Sequence, residues 1–145
     1  MSTLYMMVGI PASGKSTMTK KLQAGGCKVV STDEIREELG CLTDMSRNTE
    51  VFSIAKQRLR ESLSKGDTVF DATNIRIKGR AEIMDCVKDL NCCKVAMVFD
   101  KDLGQCKLNN KFRENQVPES VIENMHSRFE MPTESEGFDV IVTYK

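Results

Sequence analysis

A run of small and basic residues near the start of the chain has the composition and spacing of a phosphate-binding loop. Residues 9–16, GIPASGKS, match the pattern G-x-x-x-x-G-K-[ST] in full. In such a loop the glycines let backbone N–H groups turn towards phosphate oxygens, Lys15 reaches the β and γ phosphates, and the Ser16 hydroxyl ligates Mg²⁺. We therefore expect ATP and Mg²⁺ to bind at Gly9, Ile10, Pro11, Ala12, Ser13, Gly14, Lys15, Ser16 and Thr17.

Asp33, in the stretch STDEIR, is a candidate for the group that activates a phosphoryl acceptor. It follows a second apolar run, and the carboxyl ends of neighbouring parallel strands face one crevice. A carboxylate there can take the proton from an attacking hydroxyl, and Arg36, three residues on, can hold a substrate phosphate. An acid in the first turn of a helix and an Asp–Arg pair at this spacing also occur for stability alone, so both interpretations stay open.

The stretch VFDATN, residues 69–74, ends an apolar run on an acidic residue. A carboxylate in that position is costly unless it has a partner, and phosphate-loop proteins often place one near the metal. We expect Asp71 to support the metal or orient Arg36, with Thr73 and Asn74 at the substrate. The alternative is that Asp71 and Thr73 cap the next helix and Asn74 lies in a turn. A basic cluster follows that is either a solvated face or a border of the crevice: Arg76, Lys78 and Arg80.

A lid segment, defined here as residues 108–115 (LNNKFREN), places two basic side chains around Phe112. Phosphoryl transfer depends mainly on positioning and on positive charge near the transferring group, and a mobile segment can deliver an arginine to it. Arg113 is the candidate catalytic arginine. Lys107 and Lys111 are interpreted as solubilising residues, although spacing alone does not separate them from Arg113.

Strands and helices that position these residues alternate along the chain. Short continuous apolar runs predict strands, and apolar residues that recur about every 3.6 positions predict helices. Ser31 with Glu34 has the pattern of a capping box, which indicates the start of a helix. Alternation at this spacing indicates an α/β fold with a parallel sheet, helices on both faces and ligands at the carboxyl ends of the strands. The expected strands are 4–8, 27–31, 68–73, 93–99 and 139–144, with helices at 15–22, after Ser31, at 49–65 and around Ile83 to Leu90, and a helical stretch between the last two strands.

Composition restricts the class of protein. A length of 145 residues fits a single domain, 1–145, and 40% hydrophobic with 29% charged residues is typical of a globular chain. Lysine plus arginine equals aspartate plus glutamate at 21 each, so any polyanion site is local. No apolar run suits a membrane span or a secretory signal, which predicts a cytoplasmic protein without a membrane partner. Six cysteines without C-x-x-C spacing and a single histidine favour reduced thiols over a zinc site.

The motifs together resemble the kinase domain of the polynucleotide 5′-kinases, both bacteriophage-type and animal DNA-repair-type. The resemblance covers nearly the whole chain and is carried by GIPASGKST, STDEIR, DATN and NNKFREN, followed by VPESVIENMHSRFEMPTESEGFDVI. It implies a P-loop kinase fold with a helical lid. It also implies that Asp33 is the general base, that Arg36 contacts a phosphate of the acceptor strand, and that Arg113 contacts the donor phosphates.

Two departures from that family are visible. Only residues 114–117 separate Arg113 from Pro118, which is shorter than in the animal enzymes, and we expect no room within these 145 residues for the phosphatase domain that often accompanies this kinase. The stretch FDKDLG is similar to the start of a phosphatase loop, but we expect Asp100 to Asp102 to begin a helix instead.

We therefore expect transfer of the γ-phosphate of ATP to the 5′-hydroxyl of RNA or DNA. Two other classes stay open. One is a kinase of a small molecule such as a nucleoside, sugar or antibiotic, because the neutral net charge and the lack of an aromatic stacking series permit it. The other is a nucleotide-dependent switch, which needs a residue to position water that the sequence does not reveal.

Overall fold

The computed structural model describes residues 1–42 and 44–145, and within them a five-stranded parallel sheet is surrounded by helices. The strands are β1 (Ser2–Val8), β2 (Lys28–Ser31), β3 (Thr68–Asp71), β4 (Cys92–Phe99) and β5 (Val140–Tyr144). The α-helices are α1 (Lys15–Ala24), α2 (Thr32–Glu38), α3 (Asn48–Leu63), α4 (Ile77–Val87), α5 (Leu103–Lys111) and α6 (Glu119–Arg128). Two short 3-10 helices, Met45–Arg47 and Glu134–Glu136, complete the regular structure of the described residues.

The strand order is β2-β3-β1-β4-β5, and every pairing is parallel. The central strand β1 separates two halves, because β2 and β3 lie on one side of it and β4 and β5 on the other. Such a reversal of strand order opens a crevice at the carboxyl ends of the strands. The phosphate loop, residues 9–16, leaves β1 at that point.

Alternate side chains of β1 serve the two faces of the sheet. Leu4 and Met6 pack in a core with residues of α3 and α4, and Met7 packs on the opposite face, against which Met18 and Leu22 of α1 lie. Helices therefore cover both faces, as the sequence predicts for an α/β fold. On α3 the spacing of four between Val51, Ala55 and Leu59 places all three on one buried stripe.

Most predicted elements are confirmed with bounds shifted by a few residues. The helix that begins at Ser31 has its N-cap there, since the Ser31 hydroxyl accepts a hydrogen bond from the backbone N–H of Glu34 at 3.2 Å. Asp102 caps α5 in the same way, which agrees with a helix start after Phe99. The expectation of continuous helix before the last strand is wrong, because residues 129–139 contain only the short 3-10 helix.

All six cysteines are free thiols, and three of them, Cys41, Cys92 and Cys106, are buried. Within the described ranges, none of the helices combines the length and the apolar character needed to cross a membrane.

Candidate nucleotide and acceptor site

The backbone of the phosphate loop adopts conformations that few residues tolerate. A Cβ added to Gly9 would lie 2.6 Å from the Ser13 Oγ and 3.2 Å from the carbonyl oxygen of Phe99, so a larger residue there would displace the Ser13 side chain and crowd the Phe99 backbone. Gly14 has φ of 106° and Ala12 has φ of 64°, both in the left-handed region. These turns wrap the chain into a cradle that ends at the N-terminus of α1, the positive end of the helix dipole.

Lys15 occupies the centre of that cradle. Its ammonium donates hydrogen bonds to the carbonyl oxygens of Gly9 at 2.7 Å and Ile10 at 2.9 Å. Burial lowers the pKa of Lys15 to about 8, while the negative charge of Asp71 opposes the shift and the positive charge of Arg113 adds to it. The ammonium is therefore held by its own loop and is poorly solvated, which favours an incoming anion.

Two further features fit a polyphosphate in the loop. The Ser13 Oγ is buried without a hydrogen-bond partner among the described residues, and such an atom is costly unless a ligand satisfies it. Ser16 and Thr17 are exposed in the first turn of α1, where their hydroxyls can reach a bound phosphate or its metal. The part of the chain that the structure describes holds no cluster of three or more His, Cys, Asp or Glu suited to a metal ion. Mg²⁺ at such a site relies on few protein ligands plus phosphate oxygens and water, and Ser16 fits that role.

Asp33 and Arg36 lie on α2 but do not form the pair that their spacing allows. Asp33 is exposed, whereas Arg36 is only 7% exposed. The Arg36 Nη2 donates a hydrogen bond to the Oδ1 of Asn48, the first residue of α3. Its Nη1 is buried and has no acceptor among residues 1–42 and 44–145. Among the described residues, the side chain hydrogen-bonded to Arg36 is therefore that of Asn48, and no hydrogen bond or ion pair joins Arg36 to Asp71.

Asp71 ends β3 beside the phosphate loop and is half-buried. Burial raises the pKa of Asp71, Lys15 lowers it, and the negative charges of Asp33 and Glu34 raise it further. Because the charges of Lys15, Asp33 and Glu34 all act on the pKa of Asp71, Asp71, Lys15 and the start of α2 lie close together in one crevice. Asp71 is not a helix cap, since α4 begins after an N-cap at Arg76.

Thr73 and Asn74 brace the same crevice. The Gly9 N–H donates to the carbonyl oxygen of Thr73 at 2.9 Å. Asn74 has φ of 49°, which makes it a turn residue, and its Nδ2 donates to the carbonyl oxygen of Met7 at 2.7 Å. The loop formed by residues 71–75 is thus tied to the end of β1, and the Asn74 amide nitrogen is used in that tie.

A buried ion pair holds this loop from behind. Arg80 of α4 is fully buried, donates to the Glu136 carboxylate at 2.8 Å and donates to the carbonyl oxygen of Asn74 at 2.8 Å. Hydrogen bonds to Arg80 and to the Thr133 backbone lower the pKa of Glu136 against the opposing effect of burial. The Glu130 N–H also donates to the carbonyl oxygen of Ile75 at 2.7 Å. Residues 129–139 therefore act as a strut for loop 71–75.

The burial of Arg80 has a signal in the sequence, namely its register with the apolar face of α4. Arg80 stands three and four residues before Ile83 and Met84, on the face of the helix that enters the core. A charged residue in register with a buried stripe needs a buried partner. The interpretation of Arg80 as part of a solvated basic face is wrong, whereas Arg76 and Lys78 are exposed as that interpretation requires.

The lid segment begins inside α5 and continues as a turn after Lys111. Arg113 is half-buried, and its charge acts on both Lys15 and Asp71, which places it at the crevice. Lys111 is exposed, and the neighbouring Lys107 forms an ion pair with Glu123 at 2.6 Å, which raises the pKa of Lys107. The structure thus separates Arg113 from the two lysines.

Two asparagines of α5 have structural roles that no sequence pattern indicates. The Asn109 Nδ2 donates to the carbonyl oxygen of Ala12 at 3.1 Å, so the lid segment touches the phosphate loop directly. The buried Asn110 exchanges two hydrogen bonds with the Val117 backbone, at 2.7 and 3.1 Å, and closes the turn that carries Arg113. Both amides lie in the motif NNKFREN, but their roles depend on tertiary contacts.

Sequence comparison identifies a family for most of the chain. A family model described as an AAA domain matches residues 4–132. The bifunctional polynucleotide phosphatase/kinase of Schizosaccharomyces pombe is 27% identical over 141 residues, which cover 93% of this chain and 31% of that protein. The L-seryl-tRNA(Sec) kinase of Methanococcus maripaludis is 24% identical over 144 residues, which cover 94% of this chain and 56% of that protein. The chain thus spans from 31% to 56% of the length of these two relatives.

Solved structures share the fold at low identity. A chain of the Pnkp1/Rnl/Hen1 RNA repair complex superimposes with a TM-score of 0.77 at 18% identity, covering 88% of this chain and 43% of that one. A gluconokinase from Sinorhizobium meliloti gives a TM-score of 0.64 at 16% identity, covering 97% of this chain and 81% of that one. The fold is therefore that of P-loop kinases, and the acceptors named for these proteins differ.

Proposed function

Since the chain belongs to the AAA domain family, we propose that it is an ATP-dependent kinase of the 5′-hydroxyl end of an RNA or DNA strand. The attacking hydroxyl oxygen forms a bond to the γ-phosphorus, the bond from that phosphorus to the β–γ bridging oxygen breaks, and ADP leaves. The hydroxyl proton passes to Asp33. The products are ADP and a strand with a 5′-phosphate.

The donor side of the proposal uses the phosphate loop. Lys15 and Arg113 neutralise charge that grows on the transferring group, and backbone N–H groups of residues 12–16 hold the β-phosphate. Ser16 would hold Mg²⁺, which would draw charge from the phosphate oxygens when bound. Asp71 is proposed to keep Lys15 charged, because its carboxylate favours the ammonium form of this lysine. The carbonyl oxygens of Gly9 and Ile10 orient the ammonium.

The observation that carries the acceptor assignment is the buried Arg36 Nη1 without a partner among the described residues. A buried guanidinium without a carboxylate is costly, so its retention suits a site that receives an anion. A strand end offers a phosphate next to its terminal nucleoside, whereas a free nucleoside offers no anion and gluconate offers a single carboxylate. Thr73 and Asn74, on loop 71–75, would border the same acceptor.

The competing function is a kinase of a small molecule, and the gluconokinase with the same fold supports it. Labelled ATP incubated with 5′-hydroxyl RNA, 5′-hydroxyl DNA, a nucleoside, a nucleoside 3′-phosphate, gluconate and no acceptor decides between them. We expect label on the strands and on the nucleoside 3′-phosphate, but not on the nucleoside. Equal transfer to the nucleoside and its 3′-phosphate would contradict a role for Arg36. Label released as phosphate without any acceptor product would instead indicate a hydrolytic switch.

A further inference from the structure

Arg36 has a neutral side chain as its hydrogen-bond partner, whereas five arginines of the described residues form ion pairs with carboxylates. These pairs are Arg47 with Glu50, Arg58 with Glu38, Arg60 with Asp89, Arg76 with Glu130, and Arg80 with Glu136, at 2.9, 2.6, 2.7, 3.7 and 2.8 Å, respectively. Arg36 is 7% exposed, yet its hydrogen-bond partner among the described residues is the neutral amide of Asn48. The guanidinium is therefore held in place without being neutralised.

The four glutamates of α2 and of the first turn of α3 are either paired with other arginines or exposed. Glu38 of the same helix pairs with Arg58 at 2.6 Å, and Glu50, in the first turn of α3, accepts two hydrogen bonds from Arg47 at 2.9 Å. Glu34 and Glu37 are exposed on α2. The positive end of the α3 dipole starts at Asn48 and adds to the charge of Arg36. Among the described residues, no carboxylate forms a hydrogen bond or ion pair with Arg36, and its buried Nη1 has no acceptor.

We propose that Asn48 is the positioning residue of an anion site at Arg36. Its amide oxygen fixes Nη2, keeps the full positive charge of the guanidinium, and leaves Nη1 for a phosphate oxygen. The role of Asn48 rests on the proposed function in one respect. If the acceptor is a strand end, the anion at Arg36 is the phosphate next to the reacting 5′-terminal nucleoside. A carboxylate at position 48 would orient Arg36 equally well but would compete with that phosphate for its charge.

Asn48 also begins a helix, so a purely structural role must be distinguished. A structural asparagine would affect the stability of α3 without any preference for anionic ligands. The variants Asn48→Ala and Asn48→Asp separate the two roles, because the helix dipole favours aspartate in the first turn and α3 should not be weakened by it. Asn91, an exposed asparagine before β4 at the opposite end of the strands, supplies the matched control Asn91→Ala.

The direct test is titration with inorganic phosphate in saturating MgADP, which fills the phosphate loop. The side-chain Nε–H resonance of Arg36, identified by its loss in Arg36→Lys, reports binding. We expect a saturable shift in the wild type, at least about tenfold weaker binding in Asn48→Ala, and weaker binding still in Asn48→Asp, since a hydrogen bond to a charged group is lost or the charge is neutralised. Asn91→Ala should match the wild type.

Either of two results overturns the proposal: no phosphate-dependent shift of Arg36 in the wild type, or equal phosphate affinity in wild type and Asn48→Asp. Neither result depends on which acceptor the enzyme uses.

Steady-state kinetics provide a second measurement. Asn48→Ala should raise the KM of a 5′-hydroxyl oligonucleotide about tenfold and leave the KM of ATP and kcat within about twofold. An equal rise in both KM values would contradict the positioning role. Failure of the wild type to phosphorylate any strand would instead remove the proposed function and leave the phosphate titration to decide on Asn48.

Discussion

The proposed donor half and the proposed acceptor half of the crevice are built by different means. Around the phosphate loop, backbone conformation does most of the positioning, and Lys15 is already bonded to the carbonyl oxygens of Gly9 and Ile10. On the acceptor half, side chains from α2 and α3 meet, with Asp33 exposed and the Arg36 Nη1 unpaired among the described residues. Residues that are neighbours in the sequence preorganise the donor half. The acceptor half depends on tertiary contacts, and the guanidinium of Arg36 has no carboxylate partner there among the described residues. Substitutions in the two halves should therefore affect different kinetic constants.

The largest effect is expected from Asp33→Asn. Asparagine keeps the shape of the side chain but cannot accept the proton, so single-turnover transfer to a 5′-hydroxyl oligonucleotide should fall by roughly 10²- to 10⁴-fold. The affinity for ATP should stay unchanged. If Asp33 served only the helix dipole, the variant would stay active and lose about 0.3 to 1 kcal/mol of stability in thermal unfolding, and that result would remove Asp33 from the mechanism.

Lys15→Ala should lower kcat by about 10²- to 10³-fold, because it removes a positive charge from the transferring group. The free energy of unfolding should stay within about 1 kcal/mol of the wild type. The variant loses two hydrogen bonds, but it no longer has to bury a charged ammonium group. Kinetics and thermal unfolding of the same preparation test both statements. A folded variant that retains a near-normal rate would exclude Lys15 from the donor site.

Arg36→Ala should act on the acceptor half alone. We expect the KM of a 5′-hydroxyl oligonucleotide to rise about 10- to 100-fold, as for loss of a hydrogen bond to a charged group, with the KM of ATP within about twofold. Arg58→Ala removes an exposed arginine that pairs with Glu38 and is the matched control. A change confined to the KM of ATP would place Arg36 in the donor half and contradict the division into two halves.

The smallest effect is a pH dependence confined to the donor half. Burial lowers the pKa of Lys15 to about 8, so the free protein loses this charge as the pH rises above about 8. Phosphate oxygens favour the ammonium form, so the affinity for ADP should fall by up to about tenfold per pH unit above that value, with uptake of a proton on binding. Between about 8 and the ordinary value of 10.5 the unfolded chain binds more protons than the folded one, so this group makes stability rise with pH there.

Calorimetric titration with ADP at about pH 7 and about pH 9, one on each side of the pKa of Lys15, in two buffers with different heats of ionisation, measures that proton uptake. Lys15→Arg is the control, because its guanidinium stays charged over this range. Equal affinity at both pH values in the wild type would contradict the lowered pKa of Lys15.

The same contrast explains what could be predicted from the sequence. The phosphate loop is contiguous, and its glycines and lysine all serve to bind phosphate. Its position between β1 and α1 therefore follows from residues 9–16 alone. The alternation of strands and helices likewise follows from local periodicity. Asn48 and Arg36 lie on different helices, and their contact depends on how α2 and α3 pack. No local pattern encodes such a contact, and the sequence offers Asp71, as a support of the metal or as a partner of Arg36, but not Asn48.

The strut of residues 129–139 escapes prediction for a related reason. Local patterns favour helix there, but the stretch is held by Glu130 and Glu136, which bond to the backbone of Ile75 and to Arg80 across the fold. Periodicity detects a helix by its repeated apolar face and has no signal for a segment fixed by a few polar contacts.

Positions in that strut differ in how freely they can be substituted during evolution. Ser135 and Met131 are exposed, so substitutions there leave the contacts to loop 71–75 intact. Loss of the Glu136 carboxylate would leave the fully buried Arg80 without its counterion and release the carbonyl oxygen of Asn74 from a fixed donor. In diverging descendants of this chain, the identities of Arg80 and Glu136 should therefore change together or not at all, while the surface between them drifts.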